Sequence, residues 1–359
     1  MTPWRASKWC PLIRRRHADC ARRMLPVRLG RYSVVIPTAG GRPSLRHCIN
    51  AVLAQSQPAD EVIVVAAEPA GRPDWLPGSV RFVTASASTS GQRNLGIRLS
   101  TAEFVLLVDD DNILGDTFAE QILATWNAAG RGVAAVAGVV VNDPRLSFRQ
   151  NLLYFVFGLG YNAFNGRASS LRWSGHVRSV YSPRTRMPAQ FVHCCCTLYR
   201  RDLLCWEPFD ETFTGYVIGE DLDLAARLGS HGVLLHAPSA VSWAWRCPST
   251  CPNDPETVGR LHGEVLANFR WRHRGPGLVG TTCWMIANVG QAGILGSRAL
   301  RTGSWLQLYG FLSGLGLTHR RILTGECRRW QPTSRGYSVA VPVTGAEPQN
   351  HSAQPSVFG

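Results

Sequence analysis

Three consecutive carboxylates, Asp109, Asp110 and Asp111, close the apolar run FVLLV at 104–108 and are followed by Asn112. Side by side at a strand's end they repel one another, and a cation relieves that repulsion. Hard divalent ions such as Mg²⁺ or Mn²⁺ take oxygen ligands, keep several waters and bridge to phosphates, so the run suggests a metal-diphosphate site. A solvated turn or helix N-cap is the competing account, because Asp111 and Asn112 precede a helical pattern at 115–128. A second acidic cluster, Glu220, Asp221 and Asp223, follows Gly219 where a helix begins. The helix dipole favours carboxylates in a first turn, and on spacing alone that ordinary role is the better account.

The elements that would carry these residues are legible in the first half. YSVVIP at 32–37, EVIVVA at 61–66, VRFVT at 80–84 and EFVLLVDDD at 103–111 are short β-rich apolar runs, and 43–56, 90–100 and 115–128 read as helices between them. That alternation predicts an α/β fold, a mostly parallel sheet flanked by helices, whose ligands gather at the strands' C-terminal edge. After VAAVAGVVV at 133–141 the pattern breaks into a long stretch, 142–190, containing the apolar aromatic island LLYFVFGLGYNAF; strand-like FVHCCCTLY follows at 191–199.

At 359 residues, 45% hydrophobic and 17% charged, the chain is long enough for one large or two medium folded units and is not a disordered protein. The net charge of +14 rests almost wholly on arginine, Lys8 being the only lysine. That bias is discounted as a sign of nucleic acid, and no nucleic-acid partner is expected. Residues 1–31 concentrate the base against a single Asp19 and read as a flexible arm, or as an overlong gene start upstream of Met24. Eleven cysteines, odd in number and without a secretory signal, favour reduced thiols in the cytosol. The cluster His193, Cys194, Cys195 and Cys196 is disfavoured as a zinc site, because adjacent residues on a strand point to opposite faces.

Taken in order, VVIPTAGGRPSLRHCINAVLAQSQPADEVIVV, SGQRNLGI, VLLVDDDN and GEDLDLAARL resemble the family 2 glycosyltransferases of GT-A fold over roughly residues 32–275. The resemblance implies an inverting sugar transfer from a nucleotide-diphosphate donor with a divalent metal. Pro37 and Thr38 match the loop lining the nucleotide base, Arg93 and Asn94 the pair beside the diphosphate and donor sugar, and Asp109 and Asp111 the DxD pair contacting ribose and metal. Asp110 is grouped with the nucleotide-sugar contacts. Asp221 matches the catalytic base, and Glu220 or Asp223 would orient it or the acceptor. Such a reaction needs a base for the acceptor hydroxyl and a cation for the leaving diphosphate, at separate positions.

Departures from the family pattern are specific. An acidic residue usually closes the second strand to bind the base, whereas Ala66 and Ala67 stand here with Glu68 following. A histidine often found after the ED helix would fall near Trp243, Ala244 and Trp245, where none exists; nearby His236 reads as structural. The QxxRW of processive synthases is replaced by Ala267-Asn268-Phe269-Arg270-Trp271, favouring transfer of one or a few sugars, with Arg270 and Trp271 lining the acceptor channel or ending a packed helix.

Residues 275–297 and 302–318 carry no charge and flank Arg298 and Arg301. Each is near the ~20 residues that span a bilayer, but both are diluted by Gly, Thr, Asn and Gln, so interfacial helices are favoured. The expected division is a basic arm at 1–31, a catalytic domain at 32–273, a membrane-directed helical tail at 274–330 and a disordered tail at 331–359. The expected activity is transfer from a nucleotide sugar to a glycan or lipid-linked acceptor, in cell-surface polysaccharide or glycolipid synthesis, at the cytoplasmic face of the cell membrane. A sugar-phosphate nucleotidyltransferase, faintly suggested by TAGGRPS at 38–44, and a catalytically silent membrane-associated partner are the alternatives.

Overall fold

The computed structural model describes residues 30–325 except 131, 142–146, 160–168, 173, 179–186, 213–218, 246–253 and 274–276. Residues 1–29 of the basic arm and the 331–359 tail lie outside the described residues. The first strands are β1 (Tyr32–Thr38), β2 (Glu61–Ala67) and β3 (Val80–Ala85), with helix α1 (Pro43–Leu53) after β1 and α2 (Thr89–Leu99) after β3. Then come β4 (Phe104–Val108), the short β5 (Asn112–Leu114), α3 (Phe118–Ala129) and β6 (Val133–Val140). The irregular middle holds α4 (Phe148–Val156) and three short strands, β7 (Ser170–Leu171), β8 (Val177–Arg178) and β9 (Met187–Ala189). β10 (Cys196–Arg200), α5 (Arg201–Trp206), α6 (Glu220–Leu228) and β11 (Val233–Ala244) complete the sheet region, and α7 (Pro255–His273), α8 (Leu278–Thr302) and α9 (Leu306–Leu323) follow.

The main sheet runs β3-β2-β1-β4-β10-β6-β11-β5, with β9 also pairing β11. Its first four strands are parallel, as the alternation predicted. β10 is inserted antiparallel to both β4 and β6, so those two strands run the same way and end at the same edge. Alternation along the strands feeds two cores. Val34, Ile36, Leu106 and Val108 pack with α1 and α3 on one face. Val35, Ile63, Val105 and Leu107 pack with Ile97 of α2 and Leu222 and Leu228 of α6 on the other.

Two boundaries differ from the sequence expectation. The strand expected over 103–111 ends at Val108, because Asn112 N–H turns back to the Asp109 carbonyl at 3.0 Å, and 112–114 then pairs with β11 rather than opening a helix. The strand expected over 191–199 begins only at Cys196.

The C-terminal helices form a compact layer. Gly259 and Gly263 of α7 face Gly310 and Gly314 of α9, and a Cβ at any of the four would come within 2.0–2.3 Å of the facing backbone. Gly259 meets Gln307 and Gly263 meets Phe311, so α7 and α9 run in the same direction while α8 travels back between their ends. The helical segment after 273 is thus built onto α7 and not a free tail. Among the described residues α8 is the one helix long and apolar enough to cross a membrane.

Candidate active site

The site forms where the parallel strands end. Gln92 at the start of α2 donates from Nε2 to the Thr38 carbonyl at 2.8 Å and the Val65 carbonyl at 2.7 Å, tying together the tips of β1 and β2. The helix can approach this closely because of Gly96, where a Cβ would meet Val35 at 2.3 Å. The GQRNLG motif is therefore held against the strand ends by its own small residue.

Thr38 Oγ1 donates to Asp110 at 2.6 Å and Arg42 Nη1 to the same carboxylate at 3.1 Å. Both residues also line a cleft of about 760 Å³ whose wall includes Ala67, Glu68, Arg46 and Trp75. Glu68 is exposed at the lip, beside the strand end where the expected acidic residue is missing. The Arg46 guanidinium lies 5.8 Å from the Trp75 ring centroid, and His47 stacks on Trp245 at 4.5 Å. Pro37, by contrast, is a buried strand residue paired with Val65. Of the predicted Pro37 and Thr38 pair, only Thr38 faces the cleft.

Asp109 accepts from Arg93 Nη2 at 2.9 Å. Asp111 is the least compensated of the three: Arg42 approaches it only to 3.8 Å. Burial, with repulsion from Asp109 and then Asp110, pushes its carboxyl up to about 6. A cluster of carboxylate oxygens whose third member is so weakly compensated fits a hard divalent cation. Among the described residues no set of three His, Cys, Asp or Glu side chains converges to hold a metal alone. Mg²⁺ and Mn²⁺ are commonly held by one or two carboxylates with water and phosphate, which matches the Asp109 and Asp111 pair. Trp245, near the expected position of a metal histidine, donates its backbone N–H to the Asp111 carbonyl at 2.6 Å.

The second acidic cluster reaches the first through Arg93, which also donates from Nη1 to Glu220 at 2.7 Å. Burial opposes the charge on Arg93, but Asp109 and Glu220 outweigh it and hold the guanidinium well above its ordinary value. Burial lifts Glu220 above the usual carboxylate range, against the pull of Arg93 and with the push of Asp221. Gly219 sets the turn: its φ is +99°, and a Cβ there would lie 2.4 Å from Val265 of α7. Asp221 Oδ1 accepts from Leu222 N–H at 2.8 Å, and Oδ2 lies 3.3 Å from His193 Nδ1. The sequence placed His193 in a disfavoured zinc cluster; its proximity to Asp221 joins residues 28 apart and leaves no local signature.

Three predicted contacts are spent elsewhere. Asn94 does not face the donor site: Nδ2 donates to the Phe209 carbonyl and Oδ1 accepts from Phe209 N–H, each at 2.9 Å, fixing the loop that leads to α6. Asp223 turns away from the acceptor side into a buried network with Arg227 at 2.9 Å and His273 at 2.8 Å. These partners, led by the His273 hydrogen bond and Arg227, overcome burial and pull Asp223 down to about 2. Arg270 is buried, donates to Thr281 and lies over Trp284, so it joins α7 to α8; Trp271 is half-buried at the same helix end. The packed-helix account of Arg270 is the one the geometry favours.

The sequence model of the family described as "Glycosyltransferase like family 2" matches residues 30–250. The chain belongs to this family. Membership favours glycosyl transfer over the nucleotidyltransferase and silent-partner alternatives. Family 2 membership also fits the order of the four motifs on which the site is built. Among solved structures the chain is similar to GalNAc-T7 crystallised with UDP, GalNAc and Mn²⁺, at 12% identity and a TM-score of 0.48, over 73% of this chain. The chain spans about half, 55%, of that protein's length. No curated protein matches the chain in sequence.

Proposed function

We propose that the protein is an inverting transferase that moves a sugar from a nucleotide-diphosphate sugar to the hydroxyl of a glycan or lipid-linked acceptor. The observation that carries this reading is the division of the site by Arg93, with the Asp109 and Asp111 end on one side and Glu220 with Asp221 on the other. A leaving group and an attacking group approach an anomeric carbon from opposite faces, and the chemistry requires opposite assistance at each.

The cleft beside Thr38, Glu68 and Trp75 receives the nucleoside, and Asp109 faces the ribose and diphosphate. Asp109 and Asp111 would hold a divalent cation. That cation, Mn²⁺ or Mg²⁺, supplies neutralisation of charge on the departing diphosphate. Asp221 takes the proton from the acceptor hydroxyl as its oxygen bonds to the anomeric carbon, and the bond from that carbon to the diphosphate oxygen breaks. Inversion at the anomeric centre follows from a single displacement. Glu220, fixed by Arg93, orients the start of α6.

Cell-surface polysaccharide or glycolipid synthesis at the cytoplasmic face of the membrane is the setting that fits best, given the exposed apolar helices after 277. Incubation with a panel of nucleotide sugars and Mn²⁺ tests the activity, with release of nucleoside diphosphate as the readout. Product formed from an α-linked donor should carry a β linkage by NMR; a retained α linkage refutes single displacement, and no release with any donor refutes transfer.

A further inference from the structure

Helix α4 buries none of its residues, yet its sequence specifies it firmly: Ser147 and Gln150 form a reciprocal capping box at its start. Phe148, Phe155 and Val156 are 67%, 57% and 62% exposed. An apolar surface on a deliberately capped helix marks a contact site.

The helix does not stand alone. Just past its end the Phe157 ring lies against Gly290 of α8, where a Cβ would come within 2.2 Å of it, and Leu159 is fully buried. α8 adds an exposed stripe of its own, in which Val279, Ile286 and Leu300 recur at multiples of seven with Met285 and Val289 beside them. α9 exposes Tyr309 and Leu312.

Charge indicates what covers this surface. No acidic residue occurs in α4, α8 or α9, whereas Arg149, Arg298, Arg301, Arg320 and Arg321 are all exposed. Arg321 is ion-paired with Glu264 of α7 at 3.6 Å, and the other four arginines give the apolar side chains a basic rim, which complements acyl chains beneath anionic headgroups. The position is also telling: α4 follows β6, whose end shares a sheet edge with the end of β4 and hence with Asp109.

We infer that α4 joins α8 and α9 in one surface that lies in the interfacial layer of an anionic bilayer, setting the catalytic edge beside the lipid. This deepens the membrane setting proposed above and identifies the irregular middle of the chain, not only its C-terminal helices, as the anchor.

The experiment is flotation of the full-length protein with vesicles of phosphatidylcholine, alone or mixed with phosphatidylglycerol, in parallel with donor hydrolysis measured without lipid. Wild type should float with the mixed vesicles and less with the neutral ones. The double variant Phe155→Asp with Val156→Asp should lose at least about tenfold in binding, since two exposed apolar side chains are each worth about that factor when buried, while its donor hydrolysis stays unchanged. Wild type that remains unbound, a double variant that floats like wild type, or a wild-type dimer that the double variant dissolves would each overturn the inference. Expected flotation with no hydrolysis by either protein would refute the transferase reading and leave the membrane surface standing.

Discussion

Arg93 and Glu220, 127 residues apart in sequence, meet at 2.7 Å in the interior of the site, and the guanidinium's other arm holds Asp109. One planar cation thus fixes the spacing between two acidic motifs that the chain brings together only on folding. Its planar fork is what permits two carboxylates to be engaged at once.

Arg93→Lys should fold but lose at least ~10²-fold in turnover, because a single ammonium cannot hold both carboxylates in place. Arg93→Ala should be destabilised by about 3–5 kcal/mol, the usual consequence of leaving buried charge unpaired. Urea unfolding and initial rates decide between them. Near-wild-type turnover by the lysine variant would show that the spacing does not depend on Arg93.

Removal of the least compensated carboxylate tests the cation site. Asp111→Ala should abolish Mn²⁺-dependent transfer, and Asp109→Ala should weaken nucleotide binding measured by calorimetry. Full turnover of wild type in excess chelator would defeat both expectations.

Asp221→Asn should keep donor affinity and lower kcat by at least ~10²-fold, the scale of a lost general base. Parallel losses in affinity and rate would assign Asp221 to donor binding.

His193 Nδ1 lies 3.3 Å from Asp221 Oδ2, which predicts that it positions the proposed base. His193→Ala should lower kcat by roughly tenfold with donor KM unchanged, and His193→Asn should recover part of the loss by restoring a donor. A change confined to KM, or equal rates for the two variants, would argue for packing alone.

Burial, with repulsion from His193 second, pushes His236 down to about 4. In the unfolded chain a histidine titrates near ~6.5, so below that pH the unfolded state takes up a proton that the folded state refuses. Stability from this group is full above about 6.5 and falls as pH drops toward about 4. Between pH 7 and about 4.5 wild type should lose roughly 2 kcal/mol more than His236→Asn in urea melts. Identical losses would place the acid sensitivity elsewhere.

The sequence disclosed the parallel half of the sheet and the acidic strand end because both depend on short-range patterns: alternating apolar runs, and three carboxylates after FVLLV. It pointed to Asp221 only through the order of motifs, since its own spacing looks like any acidic helix start. It did not reveal the partners that Asn94 and Asp223 take in the fold, for one physical reason. Their partners, Phe209 and His273, lie 115 and 50 residues away, and a polar side chain in a motif gives no sign of whether its hydrogen bonds go to a ligand or to distant backbone. The capped helix α4 was equally hidden, because its apolar residues face outward and follow no core pattern.

The glycine seam between α7 and α9 turns the back of the enzyme into a lever. α7 touches α9 backbone to backbone, and two residues beyond Gly263 its Val265 props the left-handed turn at Gly219. A methyl group added at Gly314 would meet the Arg260 carbonyl at 2.1 Å and so push on the helix whose Val265 backs Gly219, two residues before Asp221. The carboxylate proposed as the base is backed by helices that supply no residue to the cleft lining.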